Sequence, residues 1–305
     1  MKTKLLTLVG LFVAFIATAQ TTLQEKLGYP KNAKLLIIHA DDWGVSHSEN
    51  AASMYAMEHG AISSGSIMVP CPWFPEIAAY ANAHPKADLG LHLTLTSEWK
   101  YLKWKPVASS ETVPHLTDAN GFLFPGVDSV LIKGNKEEVE IELRAQIERA
   151  RQFGIDFTHF DSHMGTLYAK DDYLKVLMKL GREYKVPVML NNLILALNHE
   201  NEMTAKDIVI DSIYIENTPD YKSGTDAFYT RILNTIKPGV HEIILHAAYD
   251  DSEMKAVTID HPDYGAEWRQ KDFNFFTSAK CKQLLQQNGI QVITWREIRD
   301  KIIRQ

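Results

Sequence analysis

Disulfide chemistry has little to work with in this sequence, because Cys71 and Cys281 are the only cysteines in 305 residues. That scarcity excludes a disulfide scaffold. The two thiols are expected to be buried and free, a single long-range bridge being the alternative. Positive charge is also short. Lys and Arg number 32 against 38 Asp and Glu, a formal balance of −6 without any basic run, which leaves no electrostatic footprint for nucleic acid. Beyond the N-terminus no apolar stretch approaches the roughly 20 residues of a membrane helix. Repeats, low-complexity tracts and an interdomain linker are missing as well, so solenoids and arrays are excluded.

The N-terminus reads as an address label. Lys2 and Lys4 precede an apolar run over residues 5–16, and Ala17-Thr18-Ala19 gives the small-x-small pattern of signal cleavage. Residues 1–19 are expected to be a signal peptide, which places the mature chain in the periplasm or outside the cell. Residues 20–305 are expected to form one domain without an integral membrane segment. Their hydrophobic and charged content, 45% and 23% over the whole chain, is that of an ordinary globular protein.

What the sequence does contain is a rhythm. Residues 34–40 (KLLIIHA) form a continuous apolar run, as expected of a strand buried on both faces of a parallel sheet. Helical patterns over 46–60, 73–83, 136–153, 172–184, 225–236, 266–288 and 295–303 alternate with strand patterns. The strands are expected at 34–40, 64–69, 88–96, 157–163, 186–191, 209–215, 241–247 and 290–294. Six or more βα units predict a single-domain α/β fold, a distorted, TIM-barrel-like (β/α) barrel with parallel strands. Residues 98–135, rich in Pro, Gly and Ser, interrupt the rhythm and read as a long structureless lid.

Parallel α/β folds put their sites at the carboxyl ends of the strands, and that is where Asp and His collect here. Asp41 and Asp42 end the first strand, His92 lies late in the third, and His163 and His246 end later ones. Adjacent buried carboxylates cannot both stay ionised without a cation or proton between them. A divalent metal resolves this, one Asp ligating it and the other acting as a base. Capping of the following helix is the structural alternative. His92 and His163 complete an Asp-His-His set with open positions for water and substrate. In 157–163, residues His159, Asp161 and His163 share one strand face. His163 is the preferred ligand, His159 the alternative, and Asp161 an acceptor that orients an imidazole.

The blocks HADDWGVSHSEN, DLGLHLTLTSEW, THFDSHMGTLY and ILHAAYDD resemble the signature segments of YdjC-like carbohydrate deacetylases, a family that includes chitooligosaccharide deacetylases. The resemblance runs from about Leu35 to Trp295. It implies a distorted (β/α) barrel and a metal, Mg2+ or Zn2+, held by Asp42, His92 and His163, with Asp41 as catalytic base. His39 stands where relatives commonly carry Asn and would add an imidazole near the metal.

The leading expectation is therefore removal of an N-acetyl group from an amino sugar or oligosaccharide, with release of acetate. His246 is the candidate proton donor to the leaving amine. Trp99, Trp104, Phe122 and Phe124 are candidates to stack on sugar rings, or else to pack their own loop. Trp268, Arg269 and Asp272 are expected to make helix-surface ion pairs, with contact to His246 or substrate as the alternative. Two other readings remain: a metal-dependent hydrolase of an ester or phosphoester, and a carbohydrate-binding protein without catalysis.

Overall fold

A computed structural model of the protein describes residues 21–197 and 203–305. The expected signal peptide, residues 1–19, lies outside that range. No helix among the described residues is long and apolar enough to cross a membrane.

Seven strands make one sheet: β1 (Lys34–Trp43), β2 (Ser64–Ile67), β3 (Leu89–Leu93), β4 (Phe160–Ser162), β5 (Ser212–Ile215), β6 (Gly239–Leu245) and β7 (Ile290–Val292). The order is β4-β3-β2-β1-β6-β5, with β7 paired to the start of β1, and every pairing is parallel. Two single bridges, Phe160 to Val188 and Asn191 to Ile210, continue the path from β4 round to the approach of β5. The expected barrel is thus present and distorted. Residues 186–191, expected as a full strand, contribute only these bridges, and the backbone there is carried by a few bonds such as Met189 N–H to Phe160 O.

Alternation along β1 explains its apolar run. Leu36, Ile38 and Ala40 belong to the large core that includes the surrounding helices. Leu35 and Ile37 belong to a smaller core with Ile210, Val240, Ile293 and Trp295, an apolar floor inside the barrel. His39 and Asp41 continue that inward register above the floor. The interior therefore changes from apolar to polar along one strand.

Two further expectations need correction. Residues 98–135 are not a structureless lid. They hold a 3-10 turn at Pro114–Leu116 and a helix at Val127–Lys133. Trp104, Val113, Leu116, Leu123 and Phe124 are buried in the main core, so apolar side chains spaced without a period still gave the segment an interior. Glu142 fastens it by accepting the backbone N–H groups of Val107 and Ala108 at 2.9 Å each. The long helix expected over 266–288 is two helices, Ala266–Thr277 and Ala279–Gln287. Ser278 breaks it by capping the second through Cys281 N–H. Cys71 and Cys281 are free and buried, as expected.

Candidate functional site

Two neighbours on a regular strand point to opposite faces, yet Asp41 and Asp42 both reach the same cavity. The pairing of β1 with β2 shifts register between Ala40 and Trp43, and Asp42 takes φ +67°, left-handed for a residue with a side chain. This bulge at the strand end turns the second carboxylate inward. The helix that follows is capped by Ser46, so capping is not the task of either Asp.

Asp42 has its two oxygens in different surroundings. Oδ2 accepts from Arg269 Nη2 at 2.8 Å. Oδ1 is buried without a hydrogen-bond donor, and it faces His163 Nδ1 at 3.3 Å and His92 Nε2 at 3.5 Å. Two ligands about 2.1 Å from a metal at a tetrahedral angle lie about 3.4 Å apart. The separations and the unsatisfied oxygen therefore fit a shared cation, and Asp42, His92 and His163 form one of three groups among the described residues able to hold one.

Each imidazole is aimed by a carboxylate behind it. His92 lies opposite Asp161 in the β3–β4 register, and its Nδ1 is 2.7 Å from Asp161 Oδ1. That contact leaves Nε2 to face Asp42 Oδ1. His163 Nε2 is 2.9 Å from Glu98 Oε2, which leaves Nδ1. Burial opposes protonation of His163, but the nearby Glu98 and Asp42 carboxylates outweigh it and push the group up to about 10. Burial likewise works against an ionised Asp42, yet Arg269 and His163 hold it well below the ordinary carboxylate range. Both shifts come from the carboxylates and cationic groups packed around one point, an arrangement compatible with a bound cation.

Asp41 is held from one side only. His39 Nε2 lies 2.9 Å from Asp41 Oδ1, and Ser66 Oγ donates to the same oxygen at 3.1 Å. Asp41 Oδ2 is turned toward His92 at 3.8 Å. His39 also contacts Asp161 Oδ2 at 3.1 Å and Ser64, its neighbour in register, at 2.9 Å. It therefore braces the two acidic groups from below. His159 lies deeper, stacked on Trp295 at 5.4 Å between ring centres and beside Thr158. It shares a possible cation group with His39 and Asp161, apart from the Asp42 group.

His246 follows β6, which pairs with β1, and its ring approaches the same centre, Nε2 lying 3.9 Å from Asp42 Oδ2. Asp272 does not bond that ring; it accepts the His246 backbone N–H at 3.1 Å. Burial, helped by the Arg269 charge, depresses His246 to about 4, so the ring rests neutral at ordinary pH.

Arg269 overturns the surface ion-pair expectation. It is 1% exposed and bridges Asp42 to Glu49, its Nη1 donating to both Glu49 oxygens at 2.6 and 2.7 Å. Trp268 and Asp272 are buried beside it. A helix packed across the barrel mouth exposes a different face from the one its isolated pattern indicates.

Asp41, Asp42, His92, Glu98, Asp161, His163, His246 and Arg269 line a cavity of about 610 Å³. Trp99 is in its wall, with Arg269 over its ring at 5.4 Å. Trp104, Phe122 and Phe124 are not among the described lining residues; Trp104 donates Nε1 to Thr96 O inside the loop. Glu98 and Glu49 were not singled out from the sequence. Glu98 stands in the segment DLGLHLTLTSEW beside Trp99, and that position was the available signal.

A family model described as YdjC-like protein matches residues 35–287. A carbohydrate deacetylase of Brevibacillus brevis is 31% identical over 267 residues, which cover 86% of this chain and 99% of the relative. One from Thermus thermophilus is 27% identical over 290 residues, covering 92% and 99%. Among solved structures, an Enterococcus faecalis protein assigned to cellobiose-phosphate cleavage is similar in fold. Its TM-score is 0.73 at 24% identity, with 87% of this chain and 99% of that one covered.

Proposed function

The chain belongs to the YdjC-like family, and from that premise we propose that it is a metal-dependent carbohydrate deacetylase that hydrolyses an N-acetyl group on an amino sugar and releases acetate. The observation that carries this reading is the meeting of Asp42 Oδ1, His92 Nε2 and His163 Nδ1 around one point, with a differently held carboxylate, Asp41, beside it.

Asp42, His92 and His163 would hold the ion. Two imidazoles with one carboxylate suit zinc better than magnesium, which prefers oxygen ligands. A divalent ion bound there supplies Lewis acidity to the acetyl oxygen and acidifies the attacking water. Asp41 accepts the water's proton on Oδ2, because Oδ1 is occupied by His39 and Ser66. Arg269 keeps Asp42 ionised and confines its free electron pairs to Oδ1. His246 starts neutral, so it can donate an N–H to the developing charge at once. Its affinity for a proton rises as negative charge builds on the substrate, so the proton that Asp41 took from the water passes through His246 to the leaving nitrogen as the C–N bond breaks, and both residues return to their starting forms.

Acetate release from N-acetylated mono- and oligosaccharides, with and without a chelator, tests this reading. Loss of activity on chelation, restored by zinc, is expected; chelator-resistant release would remove the metal from the mechanism. Residues 1–19 are proposed as an export signal, and a secreted or periplasmic product that begins at Gln20 is the expected result of N-terminal sequencing.

A further inference from the structure

Beneath the Asp42 group the barrel interior holds a second set of metal-binding side chains. His39 comes from β1, His159 from the approach to β4 and Asp161 from β4 itself, and the three form a separate group able to hold a cation. All three are buried, His39 and His159 completely. Hydrogen-bond accounting leaves one place among them unfilled. His159 Nδ1 is 3.0 Å from Thr158 Oγ1, and the Thr158 hydroxyl bonds the Asp88 carboxylate. A carboxylate can only accept, so the hydroxyl gives its single hydrogen to Asp88 and takes the Nδ1 hydrogen of His159. His159 Nε2 is left with a bare electron pair, buried and without a hydrogen-bond partner. It faces a second acceptor, Asp161 Oδ2, at 3.8 Å.

Two acceptors turned toward each other away from water cost free energy unless a cation or a proton lies between them. A proton is the poorer filler. The gap of 3.8 Å is too long for one hydrogen bond, and burial with the neighbouring His39 holds His159 well below the ordinary histidine range. A metal fits the spacing. His39 Nδ1 is engaged with Ser64 Oγ, which frees Nε2, and that nitrogen is 3.1 Å from Asp161 Oδ2. The two contacts of Oδ2, 3.1 and 3.8 Å, bracket the separation of about 3.4 Å between ligands of a tetrahedral ion. Asp41 Oδ1, 2.9 Å from His39 Nε2, is placed to be a fourth. Packing alone does not explain the ring. A phenyl group could stack on Trp295 without a nitrogen to bury, yet β3 makes room for the imidazole with Gly90, whose Cβ would lie 2.6 Å from His159 Nε2. We propose that His39, His159 and Asp161, with Asp41 Oδ1, hold a second, structural divalent cation of the kind that imidazole favours, zinc. It fixes the carboxylate that aims His92 and leaves Asp41 Oδ2 free. The inference rests on these buried groups and not on the deacetylase reading.

Zinc per chain tests it, measured by elemental analysis of protein produced in zinc-supplemented medium and dialysed against metal-free buffer. The wild type should carry about two equivalents, one for each group of ligands. His159→Phe, which retains a ring against Trp295, and His39→Asn, on another strand, should each carry about one. His163→Ala, at the Asp42 centre, should also keep about one. A single equivalent in the wild type that His163→Ala abolishes would overturn the proposal, and so would two equivalents in His159→Phe. A second measurement uses the wild type alone and does not depend on the variants folding. A chromophoric chelator should take the equivalent that faces the cavity from the folded protein, and the buried one only as urea unfolds the barrel. Release of all the zinc before unfolding would overturn the proposal. Zinc that survives in His163→Ala but not in His159→Phe, with a single equivalent in the wild type, would support the buried site and overturn the Asp42 one.

Discussion

Asp41 and Asp42 are neighbours with different holders, and that difference separates their roles. Asp42 is anchored by Arg269 and faces two imidazoles, whereas Asp41 leans on His39 and Ser66 with one oxygen free. Asp41→Asn should retain metal, measured by elemental analysis, while kcat falls roughly 10²–10⁴-fold, the range for a lost general base. Near-normal turnover would dismiss it as the base. His246 separates on leaving groups. His246→Ala should cripple amide hydrolysis and largely spare an activated ester, whose leaving group needs little protonation; equal losses would indicate oxyanion stabilisation instead. The same ring affects stability. Its folded pKa of about 4 lies below the ordinary 6.5, so the unfolded chain takes up the proton first as pH falls. The neutral ring's contribution is complete above about pH 6.5 and is lost on the way down to about 4. The wild-type Tm should therefore fall more steeply than that of His246→Ala across this interval.

Strands and loops place these side chains, and two contacts between elements can be tested. Glu98, at the start of the long excursion, aims His163 from behind. Glu98→Gln should weaken metal binding about 10- to 100-fold, as loss of a supporting carboxylate does elsewhere. Competition with a chromophoric chelator would measure it, and unchanged affinity would reduce Glu98 to a pocket wall. The excursion itself hangs on the helix Lys136–Gln152, where Glu142 accepts two backbone N–H groups and a bond from Gln146. Glu142→Ala should cost about 2–4 kcal/mol, since each buried donor left unmet costs about 1–3 kcal/mol. Urea unfolding would show this, and a loss below about 1 kcal/mol would mean that the loop's own core holds it.

At the scale of the whole molecule, the barrel interior is a stack: an apolar floor, then His159, His39 and Asp161, then Asp42 with His92 and His163. The stack closes only because β3 gives way to it. A Cβ on Gly90 would lie 2.4 Å from His159 Cε1, and that ring is pinned by Trp295. Gly90→Ala should cost about 1–3 kcal/mol or more through overpacking, seen as a lower Tm by calorimetry. It should also disturb activity, because a displaced His159 pushes on His39 and through it on Asp41. An unchanged Tm would mean that the ring has room to move.

The sequence by itself determined the α/β class, the parallel strands and the delivery of Asp and His to strand ends, because these follow from local periodicity and from where polar residues interrupt apolar runs. Asp161 was legible only as an acceptor for some imidazole, since strand alternation sets it on the face of His159 and His163; that the imidazole is His92 depends on the β3–β4 register. Tertiary structure alone decided the rest. The bulge that turns Asp42 inward depends on β2 as a partner. Arg269 and Glu49 meet across 220 positions, and no local pattern encodes such a contact. Trp99 and Trp104 look alike in sequence, five residues apart in one loop, yet one lines the cavity and the other packs its loop. Which way each ring turned was settled by the surfaces that surround them after folding, and that is information only the assembled core contains.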